Sequence, residues 1–399
     1  MNVLDIVLLL AAAWFAVIGY RQGFVVGVLS VVGFLGGGLA ALHTLPVIWD
    51  SAAGDRSPGT LAAVAAVVIV IVCASVGQAA TTHLGNRLRR QITWSPARAL
   101  DATGGALVNV VAMLLVAWLI GSALAGTSLP TLGKQVRGSK VLLGVARVVP
   151  GEANTFFADF STALAQNGFP QVFAPFSAET ITAVPPPDPE LSGSAVAAGA
   201  QRSIVKVVGN AAGCGKVLEG SGFVFAPHRV MTNAHVVGGV TEPTVQVGGR
   251  GRLLDAKVVL YDWKRDIAVL SVPALEAPAL RFASVDAESG GSAIVAGFPE
   301  NGAYDVRSAR VRSRVDANGP DIYHRGYVRR DVYSLYATVR QGNSGGPLLT
   351  PDGRVYGVVF AKSLDDADTG YALTADEVHE DVVAGRTATA RAETQGCAL

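Results

Sequence analysis

Four apolar runs, roughly Val3–Tyr20, Phe24–Leu45, Leu61–Ala80 and Gly104–Ala125, fill most of the first 126 residues. Each approaches the ~20 residues that an α-helix needs to cross a bilayer. In hydrocarbon an unpaired backbone N–H or C=O finds no water, so such runs must close their hydrogen bonds internally, as helices. Charged residues make up 16% of the chain, below the roughly 25% usual for soluble domains, and the deficit falls in this stretch. The first run lacks a basic start and a small-residue cleavage site, and a second run follows at once, which argues against a secretory leader. The expectation is a four-helix transmembrane region over residues 1–126.

Basic residues orient it. Arg87, Arg89, Arg90 and Arg98 cluster after the third run, which predicts a cytoplasmic loop. Arg21, between runs one and two, agrees. The loop Thr44–Thr60, with Asp50, Asp55 and Arg56, then lies outside, as do the amino terminus and everything after residue 126. Gly33, Gly36, Gly37 and Gly38 would let helices approach closely. Asp5 and Asn109 read as snorkelling or interhelical hydrogen-bonding groups. In hydropathy and length the region resembles the CvpA (colicin V production) family of small four-helix membrane proteins.

Residues 127–200 read as a connector. Lys134, Arg137, Lys140 and Arg147 interleave with apolar residues, as in a helix lying on lipid headgroups or in a plain solvated helix. Asn154–Gln166 has helical spacing. Pro185-Pro186-Pro187-Asp188-Pro189 and the small-residue run Ser192–Ala200 predict an extended, flexible tether open to proteolysis, self-cleavage included.

From Ile204 the pattern changes to short β-branched runs punctuated by glycine, which predicts an all-β domain over 201–399. Three motifs stand in it. Thr232-Asn233-Ala234-His235-Val236 ends a strand-like run, Asp266-Ile267-Ala268-Val269-Leu270 opens another, and Gly342-Asn343-Ser344-Gly345-Gly346-Pro347 precedes an apolar pair. A serine hydroxyl needs an adjacent base to act as a nucleophile, and His, Asp, Ser is one of the known chain orders for such a set. Asp262 and Asp255 are rival acids, but Asp266 directly precedes a strand that could bury it.

In this order and spacing the motifs resemble the trypsin/chymotrypsin family, nearest its bacterial HtrA branch. Asn343 departs from the Asp of many digestive members. Too few residues follow Ser344 to finish a barrel and add a PDZ domain. The resemblance implies two six-stranded barrels meeting at a cleft, with His235 and Asp266 on the first and Ser344 on the second. It implies a serine endopeptidase: His235 as base and then acid, Asp266 holding its tautomer, and N–H groups of Gly342 and Ser344 as oxyanion hole. Thr338, Val339 and Arg340, with Phe360, Ala361 and Lys362, would line the substrate pocket. No acid marks its base, so a trypsin-like preference for Lys or Arg is not expected.

Cys214 and Cys397 are the two cysteines outside the membrane region, and an oxidising compartment favours their pairing; Cys73 reads as a small apolar residue in the third run. No pair of His or Cys has metal-ligand spacing, no nucleotide-cradling motif occurs, and a net charge of +1 gives no case for nucleic acid. No cofactor is expected. The whole plan resembles the actinobacterial MarP-type proteases. That implies a periplasmic or external catalytic domain on the cell membrane, a role in acid and oxidative stress, self-cleavage in the connector, and protein substrates that include cell-wall enzymes. Two other readings use the same chain: a non-catalytic peptide-binding module, and a membrane sensor with the protease as output.

Overall fold

The computed structural model describes residues 1–53, 60–125, 130–149, 169–174, 176–177 and 179–398. The expected helix Asn154–Gln166 lies outside them. The chain divides into two compact units: Met1–Gly121 with Ser139–Ala146, and Ser122–Gly138 with Arg147–Leu399.

The first unit is helical: α1 (Val3–Gln22), α2 (Phe24–Ala53), α3 (Thr60–Arg89) and α4 (Ser95–Ala125), with α6 (Lys140–Val148) packed among them. The segments Val3–Gln22, Phe24–Ala41, Val68–Arg89 and Ser95–Ser122 are long and apolar enough to cross a membrane. Their outward residues are apolar; Leu10, Trp14 and Leu107 are all exposed, as lipid-facing side chains are.

Small residues and buried carboxylates hold this unit together. A Cβ on Gly33 would lie 2.4 Å from the Gly77 carbonyl, and one on Gly37 2.3 Å from that of Cys73. These two, one turn apart, face α3, whereas Gly36 faces open space. Asp5, read as a snorkelling or interhelical hydrogen-bonding group, takes the second role and is fully buried. It completes a capping box with Asn2 and accepts from Ser139 Oγ (2.6 Å), Val141 N (3.1 Å) and Lys140 N (3.3 Å). One carboxylate thus satisfies orphan N–H groups of two helices, α1 and α6. Asp101 does the same at the α1–α2 turn, accepting from Val25 N (3.0 Å) and Arg89 Nε (2.8 Å). Asn109 Nδ2 bonds within its own helix, to the Gly105 carbonyl (3.1 Å).

The second unit carries α5 (Pro130–Arg137), α7 (Ala195–Ala200), α8 (His379–Thr387) and thirteen strands among the described residues. β1 (Ile204–Ala211), β2 (Lys216–Ala226), β3 (Arg229–Thr232), β4 (Thr244–Val247), β5 (Leu254–Asp255), β6 (Lys257–Asp262) and β7 (Ile267–Ser271) form a seven-stranded sheet in the order β5-β4-β1-β2-β3-β7-β6. β8 (Ser292–Gly297), β9 (Asp305–Pro320), β10 (Tyr327–Tyr336), β11 (Pro347–Leu349), β12 (Val355–Lys362) and β13 (Thr369–Thr374) close a six-stranded barrel, β10-β13-β12-β11-β8-β9. The extra strand of the first sheet is β5, two residues long (Leu254–Asp255). One apolar cluster fills the first sheet (Val207, Val224, Val245, Leu270) and another the barrel (Val295, Val311, Leu335, Val359). A third spans both, with Phe223, Ile267, Phe298 and Phe360.

Two connector expectations are corrected. Residues 179–200 are no free tether. The Pro186 carbonyl accepts from Arg310 Nη2 (3.0 Å), Ser192 N donates to Ser308 Oγ (3.1 Å), and Ala197 and Ala200 are buried in the core. Proline already fixes φ, so laying this run along β9 (Asp305–Pro320) loses little chain entropy. Arg137 does not lie among lipid headgroups either. It is buried and donates to Asp365 Oδ1 (2.6 Å) and the Leu364 carbonyl (3.2 Å), since a guanidinium removed from water needs paired acceptors.

Two carboxyls in this unit favour the protonated form. Burial pushes Glu179 upward although Ser363, Leu364 and Tyr371 donate to it. Burial, with Asp262, Glu380 and Glu377 nearby, pushes Asp381 on α8 up to about 7 against the pull of Arg265, and among the described residues its Oδ2 has no hydrogen-bond partner. The folded state therefore keeps a proton that the unfolded chain releases near 3.8. Stability contributed by that proton is full below about pH 4 and is lost as pH rises toward 7. In urea unfolding of the protease unit, Asp381→Asn should match the parent near pH 4 and exceed it by about 2 kcal/mol at pH 8. Equal gains at both pH values would remove this account.

Candidate active site

β3 (Arg229–Thr232) and β7 pair with Thr232 opposite Ala268. The residue leaving one strand, His235, and the residue entering the other, Asp266, consequently meet at one sheet edge. His235 sits in a short helical turn, Ala234–Val236. Its backbone N donates to Asp266 Oδ1 (2.9 Å) and its Nδ1 lies 2.7 Å from Asp266 Oδ2. Asp266 is fully buried and His235 nearly so. An ionised carboxylate only accepts, so Nδ1 carries the hydrogen and Nε2 keeps its lone pair.

Several groups fix Asp266, whose φ of +66° is unusual for a side chain other than glycine. Asp262 Oδ1 accepts from Lys264 N (2.8 Å) and Arg265 N (2.9 Å), closing the turn before it. Asn233 Nδ2 donates to the Asp266 carbonyl (2.8 Å). Arg330, 1% exposed on β10 (Tyr327–Tyr336), donates from Nε to the Lys264 carbonyl (2.8 Å) and from both Nη atoms to that of Pro320 (3.1 Å each). Of the two rival acids, Asp262 is thus a turn former, and Asp255 is exposed on β5.

Ser344 lies in the turn before β11 (Pro347–Leu349). Asn343 Oδ1 accepts from Arg340 N (2.9 Å), and Asn343 N donates to the Arg340 carbonyl (3.0 Å). Asn343 thus closes the turn from both sides. The Ser344 carbonyl accepts from Ser221 N (2.8 Å) on β2 (Lys216–Ala226). Gly345, at φ +82°, comes so near that a Cβ would lie 2.2 Å from the Ser221 carbonyl and 3.0 Å from Asn233 N. The serine turn therefore rests on the strand and the residue that flank His235. Gly342 has φ +93°, which a side chain rarely tolerates.

Ser221 Oγ ties the turn down: it donates to the Gly342 carbonyl (2.6 Å) and accepts from Phe298 N (2.8 Å). The Gln341 carbonyl accepts from Glu300 N (2.7 Å). With these carbonyls held, the N–H groups of Gly342 and Ser344 find no protein acceptor among the described residues, while those of Asn343, Gly345 and Gly346 all do. Two free N–H groups beside a serine suit an anionic oxygen.

The expected pocket residues divide. Thr338 and Arg340 are exposed, and Val339 is buried against the Gly370 backbone. Phe360 and Ala361 turn fully into the core, which leaves backbone rather than side chain at the strand edge. Lys362 Nζ lies 5.4 Å from the Phe169 ring centroid. Cys397 is disulfide-bonded and Cys73 free; the side chain of Cys214 lies outside those described. The tail before Cys397 is fastened beside the His235 turn, Gly239 N donating to the Thr394 carbonyl (3.0 Å) and Thr394 Oγ1 to that of Val240 (3.0 Å).

Sequence reasoning missed Ser221 and Arg330. The Gly220-Ser221-Gly222 run inside a strand is a weak signal for the first, since glycine there marks close backbone approach. Nothing marks an arginine in β10 for the second.

Residues 220–358 match the trypsin-like peptidase domain family and residues 4–150 the colicin V production protein family. The serine protease Rv3671c of Mycobacterium tuberculosis is 40% identical over 377 residues, 94% of each chain. A DegP-like periplasmic serine endoprotease of Halomonas elongata is 34% identical over 39% of this chain and 33% of its own length. The crystal structure of the active form of the Rv3671c protease superposes with a TM-score of 0.54 at 44% identity, covering 57% of this chain and all of that one. A seven-stranded sheet and a closed six-stranded barrel with a His–Asp contact and a glycine-bounded serine, joined to four apolar helices, thus agree with relatives along nearly the whole chain: this multi-pass membrane protein belongs to the trypsin-like serine proteases that carry a colicin V production-type membrane region.

Proposed function

We propose that the chain is a membrane-anchored endopeptidase working through an acyl-enzyme on Ser344, with its protease unit on the periplasmic or outer side of the cell membrane. The observation that carries this reading is the double contact of Asp266 with His235, through the backbone N and through Nδ1. It leaves Nε2 as the base. His235 takes the Ser344 proton during attack on the scissile carbonyl and returns it to the leaving amine. Asp266 stabilises the imidazolium formed between these steps. The N–H groups of Gly342 and Ser344 bind the tetrahedral oxyanion, each worth roughly 3–4 kcal/mol in comparable sites. Pairing of Cys397 with Cys214 ties the tail to the loop after β1, across the sheet that bears His235.

The arginines between α3 and α4 support a cytoplasmic loop there and hence an outer protease unit. A role under acid stress draws support from Glu179 and Asp381, whose raised pKa values favour the fold as pH falls; a part in oxidative stress resistance is proposed with it. Self-cleavage would fall in the connector ahead of residue 179, and envelope proteins such as cell-wall enzymes are the expected substrates. With Arg340 exposed beside the expected pocket, cleavage after Lys or Arg is not expected.

A fluorophosphonate probe should label the parent protein and not Ser344→Ala, and peptide hydrolysis should fall by about 10⁶-fold in the variant. A parent that neither labels nor cleaves would instead favour the peptide-binding reading. Ser221→Ala leaves the nucleophile and base in place but frees the Gly342 carbonyl. It should lower kcat by about 10- to 100-fold with KM nearly unchanged, and unchanged kcat would show that the turn holds itself.

A further inference from the structure

In the helical unit, a cavity of about 770 Å³ opens where α3 ends and α4 begins. It is lined by His83, Asn86, Arg87, Arg89, Arg90, Ile92, Arg98 and Asp101. Four arginines therefore face a single carboxylate, and that carboxylate is already spent. Asp101 is 5% exposed at its side chain and bonds Val25 N and Arg89 Nε. Arg89 is likewise committed, its Nη1 donating to the Arg21 carbonyl. Arg98 turns Nε inward to the Ile92 carbonyl (3.0 Å), which holds its side chain over the cavity. Arg87 and Arg90 have no carboxylate or carbonyl partner among the described residues. Arg87, Arg90 and Arg98 are exposed yet share one hollow, so an anion held there is attracted by all three charges at once.

The surroundings select the kind of anion. Leu84, Leu88, Trp94 and Leu100, each within two residues of a lining position in sequence, are 50%, 43%, 70% and 72% exposed, and the apolar segments of α3 and α4 meet here at their ends. A site for soluble phosphate gains nothing from an apolar rim. A glycerophospholipid needs one: its phosphodiester suits the forked guanidinium donors, its acyl chains suit the leucines, and a Trp at the boundary suits the headgroup level. Basic pockets between membrane helices are a known way to hold anionic headgroups. We propose that this cavity binds the phosphodiester of an anionic membrane phospholipid, with Arg87, Arg90 and Arg98 as its ligands and His83 and Asn86 as further polar contacts. Arg89 and Asp101 form the fixed wall behind it. The proposal is independent of the chemistry at Ser344.

The test uses the full-length protein in neutral detergent. Retained lipid is read by native mass spectrometry during titration with phosphatidylglycerol or phosphatidylcholine, and inorganic phosphate binding is read by calorimetry. The parent should retain one phosphatidylglycerol in preference to phosphatidylcholine and bind phosphate far more weakly. Arg87→Gln/Arg90→Gln/Arg98→Gln should lose roughly a hundredfold in phosphatidylglycerol affinity, at about fivefold per arginine. The control Lys134→Gln/Lys140→Gln/Arg147→Gln removes three charges outside the cavity and should change it less than twofold. Melting by circular dichroism checks each fold, and if the triple variant fails it, Arg90→Gln alone should lose about fivefold. Equal retention by the triple variant and the control would overturn the proposal, as would equal affinity for the two lipids. Phosphate binding as tight as that of phosphatidylglycerol would make the cavity a soluble-anion site and overturn the lipid assignment.

Discussion

A carboxylate removed from water is costly unless it is surrounded by donors, and the protease unit is arranged around that condition at Asp266. Its two oxygens take the His235 backbone N and ring Nδ1. Its carbonyl takes Asn233, and the turn that delivers it is closed by Asp262 and fastened by Arg330. These partners come from the turn after β3, the turn before β7, and β10, so the sheet order must be right before the carboxylate can be buried. The same contacts that satisfy Asp266 orient the imidazole. Stability and chemistry therefore share one set of bonds.

The serine turn obeys a second constraint, that of close approach. Gly345 and Gly342 have backbone angles and clearances that no side chain accepts, and Ser221 holds the carbonyls so that two N–H groups remain available. The N–H groups of Gly342 and Ser344 are in this sense a deficit within a packed domain: among the described residues they are left without acceptors while their neighbours are satisfied. The penalty for leaving them open is small where water can reach them and large only in a dry core.

Buried carboxylates recur in the helical unit with a different result. Asp5 and Asp101 cap helix ends and join segments far apart in sequence. In an apolar medium such bonds are among the few directional contacts that can fix helix register. Asp381 and Glu179 show a different balance: burial outweighs the groups that favour the charged form and pushes both carboxyls upward, Asp381 with its Oδ2 unpartnered among the described residues and Glu179 in spite of three donors.

The four helices were legible because a run of ~20 apolar residues in lipid has one backbone solution. His235, Asp266 and Ser344 were legible because each sits in a local motif of strand ends and glycines. Ser221, Arg330, the burial of Asp5 and the docking of residues 179–200 were not. In sequence they are an unremarkable serine, a lone arginine, an acid near a terminus and a proline-rich stretch, and their partners lie tens to hundreds of residues away. Local periodicity and turn chemistry, which the sequence carries by itself, determined the element types and the candidate His, Asp and Ser positions. Which donors reach which buried acceptors was decided only by the tertiary fold, because a hydrogen bond depends on positions within a few tenths of an ångström, and no single segment sets those.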